Sequence, residues 1–177
     1  GVLAFGLNPD AAREYSAIFA QRSVVKTYVA LVRGWPAEAG TIDRPLTAVD
    51  DERSGPQPAE PRESRTAFRR IATFELPMRV DRYPTSRYAL VELTPYTGRR
   101  HQLRRHLAGE SHPIVGDSTY GKGRHNRLFR EQFGVQRLLL ACTRLEFAPP
   151  ACATPLRVEA PLAAEFAGLL TRLGTQY

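Results

Sequence analysis

"KTYVALVRG", residues 26–34, carries apolar side chains on both of the faces that a strand would present. With a period of two, Tyr28, Ala30 and Val32 fall on one side, and Thr27, Val29 and Leu31 on the other. A strand with one wet face alternates apolar and polar residues, whereas a near-continuous apolar run suits a strand buried on both faces. The stretch is therefore expected in the interior of a sheet.

Outward from it, the chain supplies more strands than helices. "GVLAFGL" (1–7) reads as a strand. In "NPDAAREYSAIFAQRS" (8–23), Asn8 can cap a helix, Pro9 suits its first turn and Asp10 complements its dipole. Tyr15, Ile18 and Phe19 then give that helix one apolar stripe. Strand-like runs follow at "TAFRRIATF" (66–74), "RYALVELTP" (87–95) and "VQRLLLACTRLEF" (135–147). The tail "PLAAEFAGLLTRLG" (161–174) reads as a helix burying Leu162, Phe166, Leu169, Leu170 and Leu173, with Gly174 at its end. Residues 47–65, polar with three prolines, are expected to form a mobile loop inside the domain. Strands dominate, helices intervene irregularly and no repeat is present. The fold class is α+β, with a mixed, largely antiparallel central sheet flanked by helices.

The 177 residues, 42% of them apolar, suffice for one domain. No run of eighteen apolar residues is present, so no membrane-spanning helix is expected. Cys142 and Cys152 form neither a disulfide framework nor a zinc signature, which fits a reducing cytoplasm. The chain opens on Gly1 and goes directly into an apolar run, so a further N-terminal portion is expected upstream. Of the net charge of +7, +6 lies between Thr97 and Arg130. Such a field favours phosphate-rich partners, although a solvated basic face accounts for the charge equally well.

Within that segment, "TGRRHQLRRHL" (97–107) leaves a strand through Gly98 and is expected to enter a short helix near His101. Leu103 and Leu107 would then face the core, while Arg100 and Arg104 form a second pair on another face. Arginine forks bind phosphate or carboxylate in two places and keep their charge. His101 and His106 are read as shaping the site through hydrogen bonds. Their spacing puts them on different sides of a helix, without acidic or thiol neighbours, so metal binding is not expected. No serine or cysteine stands out as a nucleophile for which they would serve as base. The following "SHPIVGDSTYGKGRHNR" reads as a turn-rich loop around Gly116, Asp117, Gly121 and Gly123, without the spacing of a nucleotide-binding loop.

Taken together, "LTPYTGRRHQLRRHLAGESHPIVGDSTYG" resembles the signature of the RluA-type pseudouridine synthases, and "VVKTYVALVRG" resembles their Lys-x-Tyr strand motif. "SRTAFRRIA" and "RLLLACTRLEF" fall where that family has corresponding strands. The doubled arginines are most similar to the branch that modifies tRNA in the acceptor stem. The resemblance implies one catalytic domain over residues 1–177, incomplete at its N-terminus. It also implies an enzyme that detaches uracil from ribose at N1 and rejoins it through C5, with an aspartate nucleophile and neither metal nor organic cofactor. RNA is the implied partner, tRNA first and rRNA second, with the protein acting as a cytoplasmic monomer without membrane association. The target base must leave its stack, at a cost on the order of a few kcal/mol.

Carried over by position, Tyr28 is implied to stack on the flipped base and Arg104 to pair with the catalytic aspartate. Leu140, His101 and Gln102 would contact the base, and Arg99, Arg100, Arg105, Lys122 and Arg124 the RNA backbone. On their own, Tyr28 and Leu140 read equally as core residues, and Arg104 as one more phosphate contact. Two departures stand out. Ala141 replaces the family's usual histidine. The family's His-Arg-Leu-Asp motif is expected just upstream of Gly1, because none of Asp10, Asp43, Asp50, Asp51, Asp81 and Asp117 has the nucleophile's context. Arg104 is accordingly expected to face solvent, a buffer anion or a substitute acid, and the 177 residues alone to be inactive. A non-catalytic RNA-binding module on the same scaffold is the competing reading; an aspartate in the upstream segment separates the two.

Overall fold

The computed structural model describes residues 1–21, 23–48, 60–149 and 154–177. The run read first is strand β1, Val25–Arg33. The other strands are β2 (Ala39–Asp43), β3 (Arg65–Leu76), β4 (Ser86–Pro95), β5 (Leu140–Phe147) and β6 (Leu156–Glu159). They form one sheet in the order β2-β3-β4-β1-β5-β6, and every pairing among the described residues is antiparallel. β1 is thus interior, between β4 and β5.

The two faces of β1 organise two core layers. Val29 and Leu31 pack with Tyr88 and Leu90 of β4 and with Phe166, Leu169 and Leu170 of the C-terminal helix. Ala30 and Val32 pack with Ala89, Val91 and Leu93, and with Leu103, Leu107 and Ile114 from the basic segment. Each fully buried leucine or phenylalanine contributes about 1.5–3 kcal/mol of transfer free energy, so neither layer is dispensable. The helices are α1 (Pro9–Ala20), α2 (Gln102–Gly109), α3 (Gly123–Phe133) and α4 (Ala164–Arg172). In α1 the Asn8 side chain accepts from the Ala11 amide at 2.8 Å. Its stripe of Tyr15, Ile18 and Phe19 packs on a third cluster of Val24, Leu145 and Phe147.

Four expectations are corrected. Residues 1–6 are not a strand. The Val2 amide donates to the Cys142 carbonyl at 2.8 Å, but Leu3, Phe5 and Leu7 are exposed. β6 occupies the edge of β5 from Arg144 onward, so the N-terminal run has no long ladder to join. The run 135–147 becomes a strand only from Leu140; before that, Leu139 bridges two elements, its amide donating to Val115 and its carbonyl accepting from Leu31. Residues 123–127, expected in the turn-rich loop, instead open α3, which buries His125 and Phe129. β2 and β6 are additional strands. The long loop's expected mobility concerns residues 49–59, outside the described ones, but its base is closed: Leu46 and Arg62 exchange two backbone hydrogen bonds of 2.9 Å.

Candidate active site

α2 starts abruptly. His101 precedes it with φ of 54°, in the left-handed region, and no side chain caps the helix. What holds the turn is Gln102, which is buried. Its Oε1 accepts from the Thr97 hydroxyl at 2.7 Å and the Arg99 amide at 3.0 Å. Its Nε2 donates to the Arg65 carbonyl and the Thr66 hydroxyl oxygen, both at 3.0 Å. The Thr66 hydroxyl in turn lies 3.0 Å from Nδ1 of the fully buried His106, whose Nε2 lies 3.1 Å from the Arg44 carbonyl. A carbonyl can only accept, so Nε2 carries the proton and Nδ1 accepts from Thr66. Burial lowers the His106 pKa, consistent with this neutral ring. The histidine therefore fastens α2 to the sheet. Gln102→Ala strands four polar partners around it and is expected to destabilise the fold by about 3 kcal/mol, measurable by urea denaturation.

Two residues after Gln102, Arg104 meets an acid. Its Nε and Nη2 donate to the two oxygens of Asp117, both at 2.7 Å, in a two-pronged pair. The Arg104 side chain is 16% exposed and that of Asp117 0%. Asp117 Oδ1 also accepts the Thr119 and Tyr120 amides at 2.9 Å, which is the turn role expected of it. Burial pushes its carboxyl up, but the Arg104 fork and the two amides outweigh this and hold it below its ordinary value. The Arg104 guanidinium lies 5.0 Å over the Tyr120 ring, and the Tyr120 hydroxyl is 3.3 Å from His101 Nδ1. Burial, then the Arg104 and Arg100 charges, lower the His101 pKa. Nη1 of Arg104 has no hydrogen-bond partner among the described residues, so one edge of the guanidinium is anchored and the other is open.

Tyr28 shares the α2-covered face of the sheet. It is half-buried and packs on the cluster that contains Leu103 and Leu107, beside Leu140. Across the strand pair Tyr28 faces Cys142, and Ala30 faces Leu140. A bulge falls between Thr27 and Tyr28 and leaves Thr143 without a counterpart on β1. Burial, assisted by Cys142, pushes the Tyr28 hydroxyl up to about 12, so the ring stays neutral. Lys26, two residues back on β1, is half-buried, with its Nζ next to Gly98 of the turn and its pKa lowered by burial. Ala141 belongs to the opposite core layer with Val29 and Leu31. Replacement of the family's histidine therefore falls on the far side of the sheet from Tyr28.

Known proteins match this chain over nearly its whole length. Residues 1–109 match the model of a family described as RNA pseudouridylate synthase. The chain belongs to the RNA pseudouridylate synthase family. It is 45% identical over 179 residues to tRNA pseudouridine synthase C of Vibrio cholerae, covering 99% of this chain and 73% of that protein. The protein of the same name from Salmonella typhi is 43% identical over 182 residues, covering 98% and 68%. Among solved structures, human RNA Pseudouridylate Synthase Domain Containing 1 superposes with a TM-score of 0.67 at 27% identity, covering 92% of this chain and 67% of that one. The α+β class and the isomerase assignment follow.

In this pseudouridylate synthase, the basic residues expected on the RNA backbone are spread around α2 and the start of α3. Arg99 Nε donates to the Glu63 carbonyl at 3.3 Å, and Arg105 donates to the Thr47 carbonyl at 2.7 Å and to its hydroxyl oxygen at 3.2 Å. These two grip opposite ends of the 47–65 loop. Arg100, Lys122 and Arg124 are exposed. Sequence reading missed three residues of the candidate site: Asp117 as the partner of Arg104, Tyr120 beneath that guanidinium, and Lys26 against the turn. The Lys-x-Tyr spacing could have signalled Lys26, since residues i and i+2 of a strand share a face.

Proposed function

We propose that this synthase isomerises a uridine in tRNA, using an aspartate carried by the segment upstream of Gly1. The observation that carries the reading is the half-anchored guanidinium of Arg104. Asp117 fixes one edge, and the helix that carries Arg104 packs through Leu103 and Leu107 on the sheet face that presents Tyr28 and Leu140. A second carboxylate arriving there would find a charged fork already oriented for it, in a partly dry setting where such contacts are strong. The Val2–Cys142 hydrogen bond brings the chain past Tyr28's cross-strand neighbour, so residues before Gly1 would enter beside Tyr28.

Each residue then has a distinct task. Tyr28, neutral at working pH, offers its ring to the extruded base, and Leu140 offers an apolar wall. Arg104 keeps the incoming aspartate ionised. Gln102 and His106 hold the turn and helix that place Arg104, and His101 steadies Tyr120 beneath it. Arg100, Lys122 and Arg124 hold flanking phosphates and offset the cost of unstacking. The N1–C1′ bond breaks, the C5–C1′ bond forms, the C5 proton leaves and N1 is protonated. Substrate choice rests on the relatives named as tRNA pseudouridine synthases.

Because C5 loses its hydrogen, tRNA carrying 5-tritiated uridine reports the reaction. The protein extended upstream of Gly1 is expected to release tritium, and the 177 residues alone to bind tRNA without release. No release by the extended protein would overturn the tRNA reading; equal release by both would overturn the upstream nucleophile.

A further inference from the structure

At the far end of β1 from Tyr28, a cavity of about 590 Å³ opens beside Arg33 and Gly34. Its wall is built rather than accidental. Gly34 has φ of 80°, and a Cβ there would lie 2.8 Å from His112 Nδ1, so only glycine admits that ring. His112 Nδ1 donates to the Arg33 carbonyl at 2.9 Å, which leaves Nε2 as the ring's acceptor. His125, from the first turn of α3, is buried behind it. Its Nδ1 lies 2.7 Å from the Tyr88 hydroxyl, and its Nε2 lies 3.1 Å from both Arg33 Nε and Asp81 Oδ2. Arg33 Nη2 also reaches Asp81, at 3.2 Å.

Tyr83 and Arg87 also line the cavity, and Arg82 and Trp35 adjoin them from outside it. Tyr83 is 58% exposed, with the Arg82 guanidinium 4.7 Å over its ring. Trp35 is 38% exposed, with the Arg87 guanidinium 4.3 Å over its ring. Its indole N–H donates to the Phe74 carbonyl at 3.2 Å, so it is fixed in place. Aromatic faces in water, each beside a guanidinium, form the platform on which single-stranded nucleic-acid binders stack bases and hold phosphates. Asp81 is the one acid lining the cavity among the described residues, and it can accept from a ribose hydroxyl or a base amino group.

We propose that this cavity binds a second nucleotide of the RNA substrate, away from the target uridine, with its base on Tyr83 and its phosphate against Arg82 and Arg87. The proposal rests on the reading of RNA as substrate. Five residues of β1 separate Tyr28 from Arg33, about 17 Å at strand rise, or roughly five stacked nucleotides. The Thr97–Arg130 segment reaches both regions: Leu103 and Leu107 pack in the cluster that holds Tyr28, and Arg124 lies 4.0 Å from Asp81. An RNA strand leaving the catalytic face along the basic residues would therefore arrive at the cavity.

The test is steady-state kinetics of the upstream-extended protein, with Tyr83→Ala and Tyr83→Phe variants. With whole tRNA, Tyr83→Ala should raise KM about tenfold at unchanged kcat, and Tyr83→Phe should keep the wild-type KM, because stacking needs only the ring. On a short stem-loop with two nucleotides on each side of the target, wild type and Tyr83→Ala should be equal. Tyr83 lies in an exposed bend, and matching melting curves will show that the fold is intact. An unchanged KM for Tyr83→Ala on whole tRNA overturns the cavity assignment, as does a loss confined to kcat. Failure of the wild type itself on tRNA overturns the substrate reading instead.

Discussion

Asp117→Ala is expected to destabilise the protein by about 3–5 kcal/mol, the range for removing one partner of a buried ion pair. Against a total stability of about 5–15 kcal/mol, that is a large fraction. The cost has two sources. The Arg104 guanidinium, 16% exposed, would keep its charge with no acid among its close partners. The Thr119 and Tyr120 amides would also lose their acceptor, loosening the turn between α2 and α3. Asp117→Asn keeps an oxygen for those amides but not the charge, so it should cost less. The pH dependence has a definite sign. The carboxyl is held below its ordinary 3.8 on folding, so it stabilises above that value and stops doing so as pH falls through the folded pKa. The stability gap between wild type and Asp117→Asn should be full at pH 7 and close in acid, as urea titrations at pH 7 and pH 3 can measure. An undiminished gap at pH 3 would mean that charge plays no part in it.

Arg104→Lys is the second large effect, this time on rate. Lysine keeps a positive charge for Asp117, so the fold should survive with a modest loss in melting temperature. It cannot bind Asp117 in two places and still offer an oriented donor to a second carboxylate, because its ammonium is a point charge on a flexible stem. On the proposed mechanism kcat should fall on the order of 10²–10³-fold, the scale for losing one preorganised electrostatic contact. KM for tRNA should change little, because the flanking cations remain. Tritium release under single-turnover conditions would measure this; a rate within threefold of wild type would show that Arg104 belongs to the scaffold.

Elements that announce themselves locally were readable from residues alone. Asn8, Pro9 and Asp10 mark the start of α1, and the doubly apolar run 26–34 marks an interior strand. α3 was hidden because Arg124, Arg127 and Arg130 separate its stripe of His125, Phe129 and Phe133, and the glycines before it read as a turn. The run 1–7 misled in the opposite direction, since apolar residues make a strand only where a neighbouring edge is free. The Arg104–Asp117 pair joins residues thirteen apart across a helix end and a turn, and no spacing rule points to it. Tyr28 shows the limit of pattern: alternation puts it on a buried face, and only the family resemblance separates a base-stacking ring from a core tyrosine.

The bulge at Thr143 carries a further consequence. Strand pairing is read two residues at a time, so a single extra residue shifts the reading frame of everything beyond it. On β5, Leu145 and Phe147, which meet α1, are set in one frame, and Leu140, which neighbours Tyr28, is set in another. Deleting Thr143 would merge the frames and turn one of these groups to the wrong side of the sheet. With Thr143 in place, one strand serves the α1 contact and the surroundings of Tyr28 in two separate registers.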